Sequence, residues 1–494
     1  MSSVLDRFRP LFHPNSVAII GASRAYGKWG YMYLRNLREG GFAGKVYPVN
    51  PNEKEILGYP AYARLRDVPG SVDLGLILLR PALVLDAVKE CVEKRVGSIV
   101  VITAGFGEMG GQGKKMQDEL AALARKARVP LIGPNCMGLI SVPAGLNAQL
   151  FYSRPLPGGI SILSQSGNLG GDLIRRGMVD RIGFSKFVSS GNEAVTTCED
   201  LLEYFGEDPD TTVILSYLEG VKHGNRFIEI ARRVTARKPV VLLKAGYTSA
   251  GSRACVSHTG ALAGAQEVFK AVARQAGVIM VDNMDDLYYA GVTLAGQPLL
   301  AGNRVGIVTE GGGMGVIAAD AIIRFGMDVP PLSEKLREKF HGILPERWSR
   351  SNPVDTAAGD GKFECIEEMV RSSCFDGIIQ IGIAGAGRVY QALNQIPESE
   401  RTDKEKQRLE RLRPRVDREI KEARFITGLI RETGKPILSA DQVALLGQVE
   451  GNPVLEYLSS EGIIVYRDSY HAAKMMGILV DYAKKKRSER ALEN

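Results

Sequence analysis

Short runs of apolar, β-branched residues recur along the chain, each followed by a Gly/Ser/Pro turn and then by a stretch of helical periodicity. Runs this short and this apolar suit strands buried on both faces of a parallel sheet, and the helical stretches supply the crossovers. The pattern predicts three α/β sets in series. The first, residues 1–147, has candidate strands at 16–21, 45–50, 72–79, 98–104 and 129–133, with helical stretches such as 28–39, 81–95 and 113–128 between them. It reads as a Rossmann-like domain. The second, residues 148–300, has candidate strands at 160–163, 184–188, 212–217, 239–244 and 278–281, and the third, residues 301–475, at 305–309, 377–383, 436–438 and 463–465. Both read as flavodoxin-like, doubly wound units, so the fold class is α/β. Residues 476–494 read as a charged C-terminal tail. The segment 398–424 is highly charged and reads as a solvated helix, because no apolar seam is sustained along it.

Composition narrows the classes. A chain of 494 residues suits about three domains, and 45% hydrophobic with 24% charged residues is ordinary for a soluble protein. The net charge of +7 fits an anionic ligand. It does not call for nucleic acid, since zinc spacing, aromatic-basic interleaving and a recognition-helix signature are all missing. Six cysteines without paired spacing read as reduced thiols of a cytoplasmic protein. The N-terminus lacks a signal-peptide pattern, and no apolar run approaches the ~20 residues of a membrane span.

Three places carry candidate chemistry. The first is the turn Gly21-Ala22-Ser23-Arg24, running on to Lys28 and Gly30 after the first strand. A helix N-terminus there offers N–H groups and a dipole to an anion. The glycines at 21, 27 and 30 do not form GxGxxG, and the second strand ends in Val49-Asn50-Pro51 without the acid that binds a ribose diol. A phosphate-bearing ligand other than NAD fits better, the alternative being a Rossmann-type turn that binds no ligand. The second is a pair of turns of one design, Ser164-Gln165-Ser166-Gly167 and Gly311-Gly312-Gly313, each opening a helix after a strand. Each is a candidate phosphate cradle, and together they are suited to grip one phosphoryl group from two domains. The third is His258 in Ser257-His258-Thr259-Gly260, after a stretch of small and polar residues. Neutral imidazole is a nucleophile near pH 7, and Glu219, at the end of a strand, is a candidate to orient its ring. The residues alone leave open whether His258 is a nucleophile or a surface histidine.

Several segments together carry a resemblance: SVAIIGAS (16–23), VYPVNP (46–51), VITAGFGE (101–108), GPNCMGLI (133–140), ILSQSGNLG (162–170), YLEG (217–220), KPVVLLKAG (238–246), SHTGALAG (257–264) and NPVD (352–355). In this order they resemble the α subunit of the ADP-forming (NDP-forming) acetyl-CoA and acyl-CoA synthetases, in the succinyl-CoA synthetase superfamily. The resemblance spans about residues 12–475. It implies that Gly21, Ala22, Ser23 and Lys28 bind coenzyme A, with Val49, Asn50 and Pro51 near its adenine or ribose. It puts Thr103, Ala104 and Gly105 along the pantetheine arm and Asn135 near the thiol and acyl group. By the same resemblance His258 is expected to take the phosphoryl group and Glu219 to orient its ring. Ser164, Ser166 and Gly167 hold the phosphate from one helix, Gly312 and Gly313 from the other. No resident metal is implied on this chain. Mg²⁺ and ADP or ATP belong to a separate ATP-grasp β subunit, in an assembly such as α₂β₂, and the other substrate is a carboxylic acid or its acyl-CoA. The chain departs from the family in Gly-Asn-Glu-Ala-Val-Thr (191–196), where Glu193 replaces the usual Lys and Val195 the usual Asp. That departure bears on acyl specificity, and it leaves a catalytically silent CoA-binding regulatory or scaffold protein as the alternative.

Overall fold

The computed structural model describes residues 3–246, 250–251, 266–357, 361–441 and 449–493. They form two compact units: Met1–Met178 with Gly183–Gly291, and Val179–Ile182 with Val292–Asn494.

The first unit holds two sheets. One is five-stranded and parallel, in the order Lys45–Val49, Ser16–Ile20, Leu74–Ile77, Ser98–Val101, Leu131–Ile132. Every residue of its central strands is buried, as sheets covered on both faces require. The other is seven-stranded. Its parallel strands Ile279–Val281, Val240–Lys244, Val213–Leu218, Pro157–Ser164 and Phe184–Ser189 follow one another in space, and an antiparallel hairpin, Gly138–Ser141 with Leu146–Gln149, extends the edge. That hairpin straddles the expected boundary at residue 148 and completes the second sheet, with Leu139, Ile140, Leu146 and Ala148 buried there. The polypeptide from 133 to 137 therefore leads directly from one sheet into the other.

The second unit has one parallel sheet in the order Val354–Asp355, Val305–Thr309, Gly377–Ile381, Ile437–Ala440, Val465–Tyr466. Two helices correct the sequence reading. The charged segment belongs to the helix Asp403–Thr433, opened by a Thr402–Glu405 capping box and closed by Gly434 at φ +63. Leu412, Val416 and Ala423, at spacings of four and seven, are buried along one stripe, so only the remaining faces are solvated. Residues 476–488, expected as a tail, continue the helix Ser469–Glu493, which packs against Gly312–Arg324. Met476, Leu479, Val480 and Ala483 are buried between its lysines. No described helix is long and apolar enough to cross a membrane.

Candidate active site

The turn after the first strand needs glycine on steric grounds. Gly21 has φ +98, and a Cβ there would meet the Leu78 carbonyl oxygen at 2.5 Å. A Cβ on Gly30 would meet the Gly21 carbonyl oxygen at 2.1 Å, so the N-terminus of the helix Trp29–Glu39 is pressed onto the turn. Ala22 is buried beneath it, the Ser23 hydroxyl accepts from the Ala25 amide at 3.1 Å, and Lys28 is exposed at the N-cap. Asn50 Nδ2 donates to the Ala22 carbonyl at 2.7 Å, tying the end of the second strand to this turn. Val49 is buried beside it and Pro51 exposed. Close backbone, a helix N-terminus and an exposed lysine fit a phosphate-bearing group.

Farther along the same sheet edge, Thr103 Oγ1 donates to the Leu79 carbonyl at 2.7 Å, and the Thr103 carbonyl accepts from the Asn135 amide at 2.9 Å. Ala104 is exposed, Gly105 has φ +101 and Asn135 φ +59. Asn135 Nδ2 reaches Asn192 Oδ1 at 3.3 Å, and Asn192 donates to Glu108 at 2.5 Å. Burial alone would raise the Glu108 carboxyl, but these donors and the Gly105 and Phe106 amides hold it below its ordinary value. Cys136 is inert, since burial pushes its thiol up to about 12.

Two residues after Asn135 the chain meets the first cradle. A Cβ on Gly167 would fall 1.7 Å from Met137 Cγ, so the helix Gly167–Val179 starts hard against Met137. Ser164 is buried and its hydroxyl donates to the Ser166 carbonyl at 2.5 Å, while the Ser166 hydroxyl accepts from the Leu169 amide at 3.5 Å. Gln165, between them, organises the surroundings. Its Oε1 accepts from the Glu219 and Gly220 amides at 2.5 and 3.1 Å, and its Nε2 donates to Glu193 Oε1 at 2.9 Å. Glu219 is buried, within 3.5 Å of the Tyr217 hydroxyl, and its carbonyl accepts from Lys244 at 2.6 Å. His258 lies outside the described residues.

A pocket of about 470 Å³ opens beside this network, lined by Gln165, Asn192, Glu193, Lys222, Gln117 and Arg125 among others. Sequence reasoning singled out Glu193 here but missed Gln165, Asn192 and Lys222; Gln165 stood inside the quoted SQSG. Glu193 is 1% exposed, and its Oε2 has no hydrogen-bond partner among the described residues. Burial pushes its carboxyl up to about 7, against the pull of Gln165, Ser190 and Lys222. Lys222 donates to the Asn192 and Glu193 carbonyls at 2.7 and 2.6 Å, and burial lowers its pKa.

The second cradle belongs to the other unit. Gly311 caps the helix Gly312–Arg324, and its amide donates to Thr309 Oγ1 at 3.2 Å. Among the described residues, a Cβ at Gly311 or Gly313 would meet nothing within 4 Å, and one at Gly312 only Asp355 Oδ2 at 3.1 Å.

Comparison with known proteins adds the following. Residues 15–141 match the CoA binding domain family, and residues 157–294 match the succinyl-CoA ligase like flavodoxin domain family. The α subunit of the ADP-forming acetate–CoA ligase II of Pyrococcus furiosus is 41% identical over 76% of this chain and 82% of that one. The α subunit of the same organism's ADP-forming acetate–CoA ligase I is 35% identical over 96% of this chain and 97% of that one. The dinucleotide forming acetyl-coenzyme A synthetase 1 of Ca. Korarchaeum cryptofilum, solved in complex with phosphate and ADP, superposes with a TM-score of 0.83 at 31% identity, covering 97% of each chain.

Proposed function

This chain belongs to the family of α subunits of ADP-forming acetate–CoA ligases, and from that premise we propose that it carries the CoA, acyl and phosphoryl-accepting sites of an NDP-forming acyl-CoA synthetase. Gly21, Ala22, Ser23 and Lys28 bind the phosphates of coenzyme A, with Val49, Asn50 and Pro51 beside its adenine or ribose. Thr103, Ala104 and Gly105 follow the pantetheine arm, and Asn135 meets the thioester. Inorganic phosphate displaces CoA from the acyl group, giving an acyl phosphate. His258 takes the phosphoryl group and releases the carboxylic acid. The phosphoryl group then passes to ADP, giving ATP, and every step reverses. Glu219 orients the histidine ring, Ser164, Ser166 and Gly167 hold the phosphoryl group, and Gly312 and Gly313 form a second phosphate cradle. ADP and Mg²⁺ bind an ATP-grasp β subunit, in an α₂β₂ assembly, and the described cysteines, all unpaired, suit a cytoplasmic enzyme.

One observation supports this reading above the others. Asn135 is bonded to Thr103 at the edge of the first sheet, and Met137, two residues later, is packed on Gly167 at the first cradle. The site assigned to the thioester and the site assigned to the phosphate are thus joined by one short segment, held at both ends. A silent CoA-binding protein would have no need of the second.

The test is phosphorylation of the purified chain by phosphate and a panel of acyl-CoAs, read by intact mass at neutral and acid pH. One acid-labile phosphoryl group should appear with at least one acyl-CoA and be absent in His258→Asn. CoA binding with no phosphoryl group, even with an ATP-grasp partner and ATP, would favour the silent protein.

A further inference from the structure

The second unit holds a cleft that the reaction above does not use. Its sheet reverses strand order between Val305–Thr309 and Gly377–Ile381. In doubly wound sheets, ligands bind at the C-terminal ends of the two strands flanking that reversal. There the structure has a cleft of about 730 Å³, within the range of small-molecule sites.

One wall is the helix Asp403–Thr433, which lines the cleft with Arg408, Arg411, Arg415 and Arg418. Their spacing of three, four and three keeps them on one face, in a row about 15 Å long. Arg418 pairs with Glu422 at 3.0 Å. The side chains of Arg408, Arg411 and Arg415 have no hydrogen bond or ion pair among the described residues. Neighbouring like charges cost a helix about 0.2–0.5 kcal/mol per pair, a cost that a bound anion would relieve.

The acids of the cleft are already engaged. Glu310 accepts from the buried Lys362. Glu419 accepts from the Ala386 and Gly387 amides, at 2.8 Å each, on the first turn of the helix Gly385–Asn394. Set against Glu310, Glu419 and Glu422, the four arginines and Lys362 leave the lining of the cleft net positive. The cleft is also lined by the apolar side chains of Phe363, Val389 and Leu412. A bare inorganic anion would leave them unused. The volume of about 730 Å³ is that of a site for a single nucleotide.

We propose that this cleft binds a nucleoside polyphosphate, its phosphates along Arg408, Arg411 and Arg415 and its base against Phe363, Val389 and Leu412. The site is separate from the nucleotide site assigned above to the ATP-grasp partner, so the chain alone should show it.

The purified chain, saturated with CoA to fill the first unit, is titrated with ADP by calorimetry at low and at physiological salt. One ADP per chain should bind, more weakly as salt rises. The charge reversal Arg411→Glu with Arg415→Glu, at two exposed positions, should weaken ADP at least 30-fold, while CoA affinity stays unchanged and the thermal midpoint does not fall. Phe363→Ala should weaken ADP about 10-fold and leave tripolyphosphate binding as it was. The proposal is overturned if ADP does not bind, if the double variant binds it as well as the parent, or if tripolyphosphate matches ADP and Phe363→Ala changes neither. Tighter binding of a single-stranded oligonucleotide, lost in the double variant, would overturn it in favour of nucleic acid. Loss of CoA binding in the parent would count against the synthetase reading and leave the ADP result to be judged alone.

Discussion

Two turns of one design, Ser164–Gly167 and Gly311–Gly313, each end a buried strand and open a helix, yet their glycines answer to opposite constraints. At Gly167 a side chain has no room, because Met137 occupies the place of its Cβ. At Gly311 and Gly313 the described residues leave that place open. The first glycine is thus accounted for by packing within its own unit. The other two are not, and a bare backbone that no described neighbour demands suits a ligand that must come close to it. Identical local sequence logic therefore serves structure in one place and access in the other.

The largest effect should come from filling the closed turn. Gly167→Ala places a methyl 1.7 Å from Met137 Cγ and 2.6 Å from its Cβ. Overpacking of a tight site costs about 1–3 kcal/mol, and this contact belongs at the upper end because Met137 Cβ is fixed by the backbone. Denaturant unfolding should show a loss of about 3 kcal/mol in the first unit. An unchanged midpoint would mean that Met137 swings aside, and the closed turn would then be no more constrained than the open one.

Gln165 sharpens the contrast, because the closed turn is wired to a buried acid. The Glu193 carboxyl is pushed up to about 7 in the folded chain, against an ordinary value near 4.3 when unfolded. Below about pH 4 both states hold the proton and Glu193 is neutral in the balance. As pH rises further, the unfolded chain releases the proton while the folded chain keeps it, so stability falls until about pH 7 and then levels. Glu193→Gln keeps an acceptor for Gln165 and Ser190 and cannot titrate. Relative to the parent it should gain about 2 kcal/mol between pH 5 and pH 8. Parallel stability curves for the two chains would show that Glu193 does not change its protonation on folding.

How much of this could be read from the chain follows the same division. The strands were legible because their apolar runs are local signals, and the central strands of all three sheets lie within a few residues of the periodic runs. The hairpin Gly138–Ser141 with Leu146–Gln149 was not, because its sheet membership depends on pairing with Phe184–Ser189, which no local pattern announces. The long charged helix misled for another reason. Its apolar stripe of Leu412, Val416 and Ala423 is thin against the surrounding charge, so composition outweighed period. At the site, the turn residues were legible through Gly and Ser punctuation. Gln165 and Lys222 were not, since ordinary polar residues acquire their roles only when Gly220, Asn192 and Glu193 are brought around them.

The smallest effect is the most informative about the open turn. Gly313 begins a helix, has no positive φ, and would present an added methyl to open space among the described residues. Gly313→Ala should therefore keep the thermal midpoint or raise it, since alanine in a helix is favoured over glycine by up to about 1 kcal/mol. On the cradle reading the same methyl stands where the phosphoryl group must approach the helix N-terminus. The amount of phosphoenzyme formed from acyl-CoA and phosphate should be nearly normal, because that step needs only the first unit's cradle. Its transfer to ADP with the partner subunit should slow about 10-fold, a barrier change of ~1.4 kcal/mol. Full transfer rates in a chain as stable as the parent would leave the glycines of the open turn without a phosphate to serve. A loss of stability alongside the loss of rate would show instead that something packs on this turn, and the two turns would prove alike after all.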